Sequence, residues 1–311
     1  MQAIFDELKS IPFESIDAAN EWLSRRAAAY NDAPQADFGG LSPTQMGALL
    51  VTEWGHDSVS QVATNLALSD VANSAWYLGA RALLAHLDAC GGYAEQSRGV
   101  LVDGALEAMA SVVANAVGDR GLHRLELIAG PPDVDDITFS EVFALLFAAG
   151  HLHKSKKRLV ARQASRRLLA DDQAGALYHS LLVTYLRDLR LCEQMEAPPV
   201  FEPIEHGLPF TMFRLHEETA GKWRAPTWLW KRVLHPNTLE LFRSLGELPV
   251  EARTVPLAVL VLQPLVQLDL LEGRVRAGAR EPEFRQTPLF GRAITFNWSA
   301  KRPVMPPPRK R

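Results

Sequence analysis

Cysteine is almost missing from this chain: its 311 residues include two, Cys90 and Cys192, far apart in apolar surroundings and without C-x-x-C spacing. That excludes a disulfide framework and a cysteine-rich zinc site, so both read as small core residues. Long apolar runs are lacking too. The most apolar window, "VPLAVLVLQPLVQLDLL" at 255–271, is broken by Gln263, Pro264, Gln267 and Asp269, which makes it too short and polar to span a bilayer. It reads as a buried helix bent at Pro264. The first ten residues carry Asp6 and Glu7 where a secretory leader has a basic segment and then an apolar run, so the expected location is cytoplasmic.

Recognisable chemistry is also missing. The sequence contains no phosphate loop, no G-x-S-x-G elbow and no H-E-x-x-H zinc helix. Nucleotide-dependent and hydrolytic readings lose their usual entry points, and the expectation is a non-enzyme without cofactor. Asp133, Asp135 and Asp136 in "PPDVDD" suit a hard cation, yet no further ligand follows at a fixed spacing. Carboxylates favoured at a helix start explain them as well. His151 and His153 alternate along an expected strand and would share one face, but a third ligand is missing and the surrounding cations oppose a dication. They read as hairpin surface, with no metal.

Apolar side chains, by contrast, make up 47% of the chain, enough for real cores. The net charge of -3 conceals a polarity: residues 1–150 carry 7 basic and 20 acidic groups, and residues 151–311 carry 26 and 16. Such a distribution can draw a polyanion to one face and repel it from another.

The segment "DAANEWLSRRAAAY" (17–30) has helical spacing. In "FGGLSPTQMGALL", Ser42 as N-cap, Pro43 at the first helical position and Gln45 three residues after the cap make a capping box. A pattern of an apolar helix followed by a two-stranded hairpin then recurs three times. "SAWYLGARALLAHLDAC" leads into a hairpin around Ser97 to Gly99, "TFSEVFALLFAA" into "HLHKSKKRLVA", and the 255–268 helix into a hairpin turning at Gly278. "AITFNW" adds a later strand. A helix followed by a hairpin is the second half of a winged-helix unit. The expected fold class is therefore mainly α with small β-hairpins, arranged as tandem winged-helix-like domains.

The expected boundaries are an N-terminal helical segment at 1–60, a first winged-helix-like domain at 61–118 and a second, with a basic wing, at 119–195. A Pro-rich linker and helical region follows at 196–250, then a third winged-helix-like domain at 251–300 and a basic Pro-rich tail at 301–311. "QAGALYHSLLVTYLRDLRL" reads as one long helix. Trp223, Trp228 and Trp230 sit at spacings more typical of core than of a ligand cage.

The run "YNDAPQADFGGLSPTQMGALL", with "ARALLAHLDACGGY", "RLVARQASRRLL" and "TPLFGRAITF", resembles a family of uncharacterised bacterial proteins in which similar segments recur in the same order. Its most specific motif is Gly-Leu-Ser-Pro at Gly40 to Pro43. The resemblance implies the same domain order and no named activity. Some members carry a cysteine-rich zinc-binding tail, which this chain replaces with Pro and Arg.

The clearest functional signal is "GHLHKSKKRLVARQASRRLL" at 150–169, with seven Lys or Arg and no acid. Lys154, Lys156, Lys157 and Arg158 crowd the second hairpin, Arg162, Arg166 and Arg167 follow it, and the third hairpin repeats the chemistry with Arg274, Arg276 and Arg280. Wings of this kind reach phosphates without reading sequence. The preceding helices carry little that reads base edges: Ser140 and Glu141 in the second unit, Arg81 and His86 in the first, Gln263 and Gln267 in the third. Two functions follow. One is a nucleic-acid-associated regulator or accessory factor gripping backbone, DNA rather than RNA. The alternative is a protein-protein interaction scaffold whose cations face solvent, a partner's acidic surface or the chain's own acidic half. The oligomeric state is left open.

Overall fold

The computed structural model describes residues 7, 9–97, 100–118, 134–189, 191–194, 198–246, 250–279 and 281–298. Helix α1 (Ile16–Asp32) starts at Ser15, whose Oγ accepts from the Ala18 amide at 3.1 Å. Helix α2 (Pro43–Leu50) begins with the expected capping box. The Ser42 hydroxyl accepts from the Gln45 amide at 3.2 Å, and the Gln45 side-chain oxygen accepts from the Ser42 amide at 2.9 Å. Two otherwise orphaned amides are thereby satisfied.

The Gly-rich entry to α2 has a second use. Arg214 donates to the Gly39 carbonyl at 3.3 Å while pairing with Glu217 and Glu218 at 2.5 Å each. A Cβ on Gly39 would lie 2.5 Å from that guanidinium, and φ there is +63°. The segment carrying the family resemblance is thus a seat for a nearly buried arginine.

Strand β1 (Ser60–Val62) precedes α3 (Leu68–Val71) and α4 (Ala75–Cys90). The hairpin β2 (Tyr93–Ser97) and β3 (Val100–Leu101) follows, then α5 (Ala105–Val117) and α6 (Val134–Ala148). The second hairpin is β4 (Leu152–Ser155) and β5 (Arg158–Ala161), with a 3-10 stretch at Gln163–Leu169. Helices α4, α5 and α6 pack against one another.

The first two hairpins join in one four-stranded antiparallel sheet, ordered β3-β2-β5-β4, in which Tyr93 pairs with Leu159 and Ala94 with Arg158. The sheet crosses the boundary expected between residues 118 and 119. Two-stranded hairpins leave unpaired edges, and joining β2 to β5 removes one from each.

The expected long helix is α7 (Ala174–Val183), which continues as a π-helical turn, Thr184–Asp188. Helices α8 (Leu191–Gln194), α9 (Glu202–His206), α10 (Leu208–Glu218), α11 (Pro226–Val233) and α12 (Pro236–Ser244) fill the region expected to be linker and helices. Then α13 (Val250–Leu257), a second π-helical turn at Ala258–Leu262, and α14 (Gln263–Gln267) make up the apolar window. The irregularity has a local cause: Pro264 has no N–H to give the Leu260 carbonyl, and that carbonyl accepts from the Tyr185 hydroxyl at 3.0 Å. One π turn thus bonds the other.

Strands β6 (Leu271–Arg274) and β7 (Glu283–Gln286) form the third hairpin, with Gly278 at φ +78° in its loop. After α15 (Pro288–Ala293), strand β8 (Ile294–Phe296) pairs antiparallel with β1, Val62 opposite Ile294. The "AITFNW" strand therefore closes on the opposite end of the chain. The molecule is mainly helical with small antiparallel sheets.

Most buried apolar side chains form one cluster running from Trp54 to Ile294, and a smaller one, including Leu41, Leu49 and Phe210, lies under the N-terminal segment. The third hairpin's helix is tied to the first two units through its end. Ser74 and Tyr178 hydroxyls donate to the Gln267 and Leu268 carbonyls at 3.1 and 2.7 Å. These are the acceptors that the end of α14 leaves without a helical partner. Cys192 is buried as expected, whereas Cys90 is exposed at the last position of α4.

Of the three tryptophans expected in the core, Trp230 belongs to it, Trp228 packs against it and Trp223 does not join it. Trp230 is buried, but Trp228 is half-buried between Arg224 and Arg232, each 4.0 Å from the ring centroid. Trp223 likewise lies under Arg274 at 3.9 Å and Arg285 at 4.6 Å. Guanidinium planes cover the exposed ring faces and gain cation–π attraction.

Candidate nucleic-acid interface

The β4–β5 hairpin closes through two residues. Ser155 and Arg158 are paired, leaving Lys156 and Lys157 as the turn, with φ of +48° and +60°. Both central residues of such a turn need positive φ, which is why Asn-Gly usually occupies it. Two lysines there cost backbone strain of about 1–2 kcal/mol per residue. Lys156→Asn with Lys157→Gly should therefore raise stability by about 1–2 kcal/mol in denaturant titration. An unchanged midpoint would mean that the turn does not hold both residues in the left-handed region.

The ten cations singled out from the sequence divide by what they touch. Lys156, Lys157, Arg162 and Arg167 are exposed, and their side chains have no hydrogen-bonded or ion-pair partner among the described residues. Lys154 pairs loosely with Glu95 at 3.4 Å and keeps about half its side-chain surface exposed (51%). Arg158 is committed to the fold. Its guanidinium donates to the Gly91 carbonyl at 3.1 Å and the Gly92 carbonyl at 2.7 Å, satisfying the end of α4 and bracing β5 against it. Arg166 pairs with Asp88 at 2.5 Å.

The third hairpin is different. Arg274 and Arg276 share Glu283 at 2.9 and 2.7 Å, and Arg285 pairs with Glu272 at 2.7 Å. These three arginines are thus engaged by carboxylates of the hairpin itself. Arg280 and the 301–311 tail lie outside the described residues.

Apart from Ser140, which is exposed, the residues expected to be nearest to base edges are occupied or buried. Arg81 donates to the Leu169 carbonyl at 3.1 Å and to Asp171 at 2.5 Å, and His86 bonds the Tyr93 hydroxyl at 2.8 Å. Gln263 and Gln267 are buried. Glu141 turns inward from α6, where its carboxylate accepts from the Trp76 indole N–H at 3.0 Å. Burial pushes that carboxyl up to about 7, against which the Trp76 hydrogen bond acts.

His151 corrects the reading from the sequence. It precedes β4 rather than lying on it, because Gly150 at φ +72° turns the chain as α6 ends and the His151 amide bonds back to the Leu146 carbonyl at 2.8 Å. The ring then points inward, 3.0 Å from the Ser165 hydroxyl and 2.8 Å from that of Ser180. Burial, with a smaller contribution from Arg162, holds its pKa below the usual histidine value. A neutral ring donates through one nitrogen and accepts through the other, so it clamps the 3-10 stretch carrying Arg166 and Arg167 to α7. Periodicity cannot reveal this, since the two serines lie 14 and 29 residues away.

Among the described residues, no cluster of three or more metal-ligating side chains forms, and no helix is long and apolar enough to cross a membrane. Asp133 lies outside the described residues. No protein-family model, curated protein or solved structure matches this chain. The chemistry of the hairpin therefore carries the functional reading on its own.

Proposed function

We propose that this protein is a nucleic-acid-associated factor, regulatory or accessory, that grips the phosphate backbone of duplex DNA through the β4–β5 hairpin used as a wing. In this reading the helix-hairpin units are winged-helix-like, two of them fused through the β2–β5 pairing. The observation that carries it is the turn. Two lysines occupy strained positions that smaller residues fill better, and neither has an acidic partner among the described residues. Strain retained at a surface turn points to a role for the side chains rather than for the fold.

Arg162 and Arg167 extend the same uncompensated charge along the exit from β5, and Lys154 flanks it. Arg158, Arg166, Arg274 and Arg276 serve the fold first and Arg280 lies outside the described residues, so the backbone contact rests on Lys154, Lys156, Lys157, Arg162 and Arg167. With Glu141 facing the core and no Arg, Lys, Asn or Gln on α6, recognition is of backbone rather than of base sequence.

The test is anisotropy of a labelled generic duplex titrated with protein across salt. If about five phosphates are neutralised, log K falls against log salt with a slope of roughly -4. Replacing Lys156, Lys157, Arg162 and Arg167 by Ala should remove most of that slope and weaken binding about 100-fold at low salt. Arg274→Ala with Arg276→Ala should leave the slope unchanged. Absence of binding at ~50 mM salt, or a quadruple variant that binds like the parent, sinks the proposal.

A second reading, an interaction scaffold without nucleic acid, is favoured by the ion pairs Arg166–Asp88, Lys154–Glu95 and Arg292–Asp70. Each joins the basic half to the acidic half, so part of the charge polarity is consumed internally. That reading requires a stoichiometric protein partner that survives nuclease treatment; recovery of nucleic-acid-dependent material alone would exclude it.

A further inference from the structure

From residue 142 to its end at Ala148, helix α6 is apolar all round. Its Phe139, Phe143 and Phe147 rings form a ladder with centroids 5.7 and 6.3 Å apart, and the ladder ends at a side chain 45% exposed. Such a helix is normally covered on every side. Phe147 instead borders a cavity of about 590 Å³ together with Val102 and Leu106, which are 36% and 53% exposed, over a floor that includes Phe143 and Leu159. Large apolar side chains gathered at one open site mark an interaction surface.

The rim charges select the occupant. Asp103 and Glu107, at the start of α5, stand on the same rim as Lys154 on β4. Among the described residues neither acid has an ion-pair partner, and the bond from Lys154 to Glu95 is long and exposed. An acidic partner would satisfy the lysine and oppose both carboxylates; a basic partner would do the reverse. A second copy turned about a two-fold axis presents lysine to acid and acid to lysine at once, with the apolar centres facing each other. We infer that this face is a symmetric homodimer interface, centred on Leu106 and Phe147 and bordered by Lys154 paired with Asp103 and Glu107 of the other copy. Lys154 is shared with the backbone-binding reading, but Lys156, Lys157, Arg162 and Arg167 do not line the cavity, so a dimer formed without nucleic acid tests this inference apart from that reading.

Sedimentation of the full chain, without nucleic acid, tests it. A concentration-dependent dimer is expected. Leu106→Glu and Phe147→Glu, both at exposed positions, should weaken it at least about 30-fold, the scale of a central interface side chain, with unchanged circular dichroism. Lys154→Glu alone and Glu107→Lys alone should each weaken it, and the two together in one chain should restore it, which a merely damaged fold would not do. A monomer at every concentration overturns the inference. So does a dimer indifferent to Leu106→Glu and Phe147→Glu, or native mass spectrometry that shows a small apolar ligand or a different protein bound in the groove.

Discussion

Gly92→Ala is expected to cost about 3 kcal/mol or more of folding stability, while Gly91→Ala beside it costs about 1–2 kcal/mol. Both glycines have positive φ, +70° at Gly91 and +81° at Gly92, and an alanine at either place meets left-handed strain. The difference lies in the neighbours. A Cβ on Gly91 would have nothing within 4 Å, whereas one on Gly92 would sit 2.1 Å from the Leu159 carbonyl oxygen. That oxygen belongs to β5, which cannot retreat without breaking its pairing with β2. Gly92 is where the first helix-hairpin unit meets the second, and Arg158 donates to its carbonyl from the other side. Denaturant unfolding of the two variants separates strain from clash; equal losses would show that β2 and β5 do not approach as closely as described.

Glu141→Gln should make the protein more stable at pH 8 by about 2–3 kcal/mol and flatten its pH profile. The carboxyl is raised from 4.5 to about 7 mainly by burial, because charging it forfeits hydration that the Trp76 indole only partly replaces. Between pH 4.5 and 7 the folded state holds a proton that the unfolded chain has lost. The contribution of Glu141 to stability is therefore greatest below 4.5, declines as pH rises through that window, and levels off above it. Glutamine keeps an oxygen for the indole N–H at every pH and removes the penalty. Equilibrium unfolding of parent and variant from pH 4 to pH 8 measures this, and parallel curves would mean that Glu141 ionises freely. The wing lies on another element, so the variant should bind duplex DNA like the parent.

The local elements were legible in the sequence because their causes are local. Ser42, Pro43 and Gln45 act within one turn of helix, and the capping box forms as read. Apolar spacing placed α4, α6 and the three hairpins for the same reason. Signals from partners distant along the chain were not legible. Nothing near residue 151 indicates that its ring will meet Ser165 and Ser180, and Trp223 matches a core position until Arg274 and Arg285, far along the chain, cover it.

The candidate site divides along the same line. Seven cations in twenty residues are visible in the string, but their availability is not. Arg158 and Arg166 are indistinguishable in sequence from Arg162 and Arg167, yet Gly91 and Asp88 occupy the first two. Glu283 likewise engages Arg274 and Arg276 of the third hairpin, which look equivalent to the second's arginines.

By itself the sequence determined which segments are helices and hairpins, and where positive charge concentrates, since both depend on neighbours a few residues apart. Only the tertiary structure decided which hairpins share a sheet, which cations stay free and which apolar face stays open. Those outcomes depend on pairings between residues tens to hundreds of positions apart, such as β2 with β5 and β1 with β8, whose geometry no local pattern encodes.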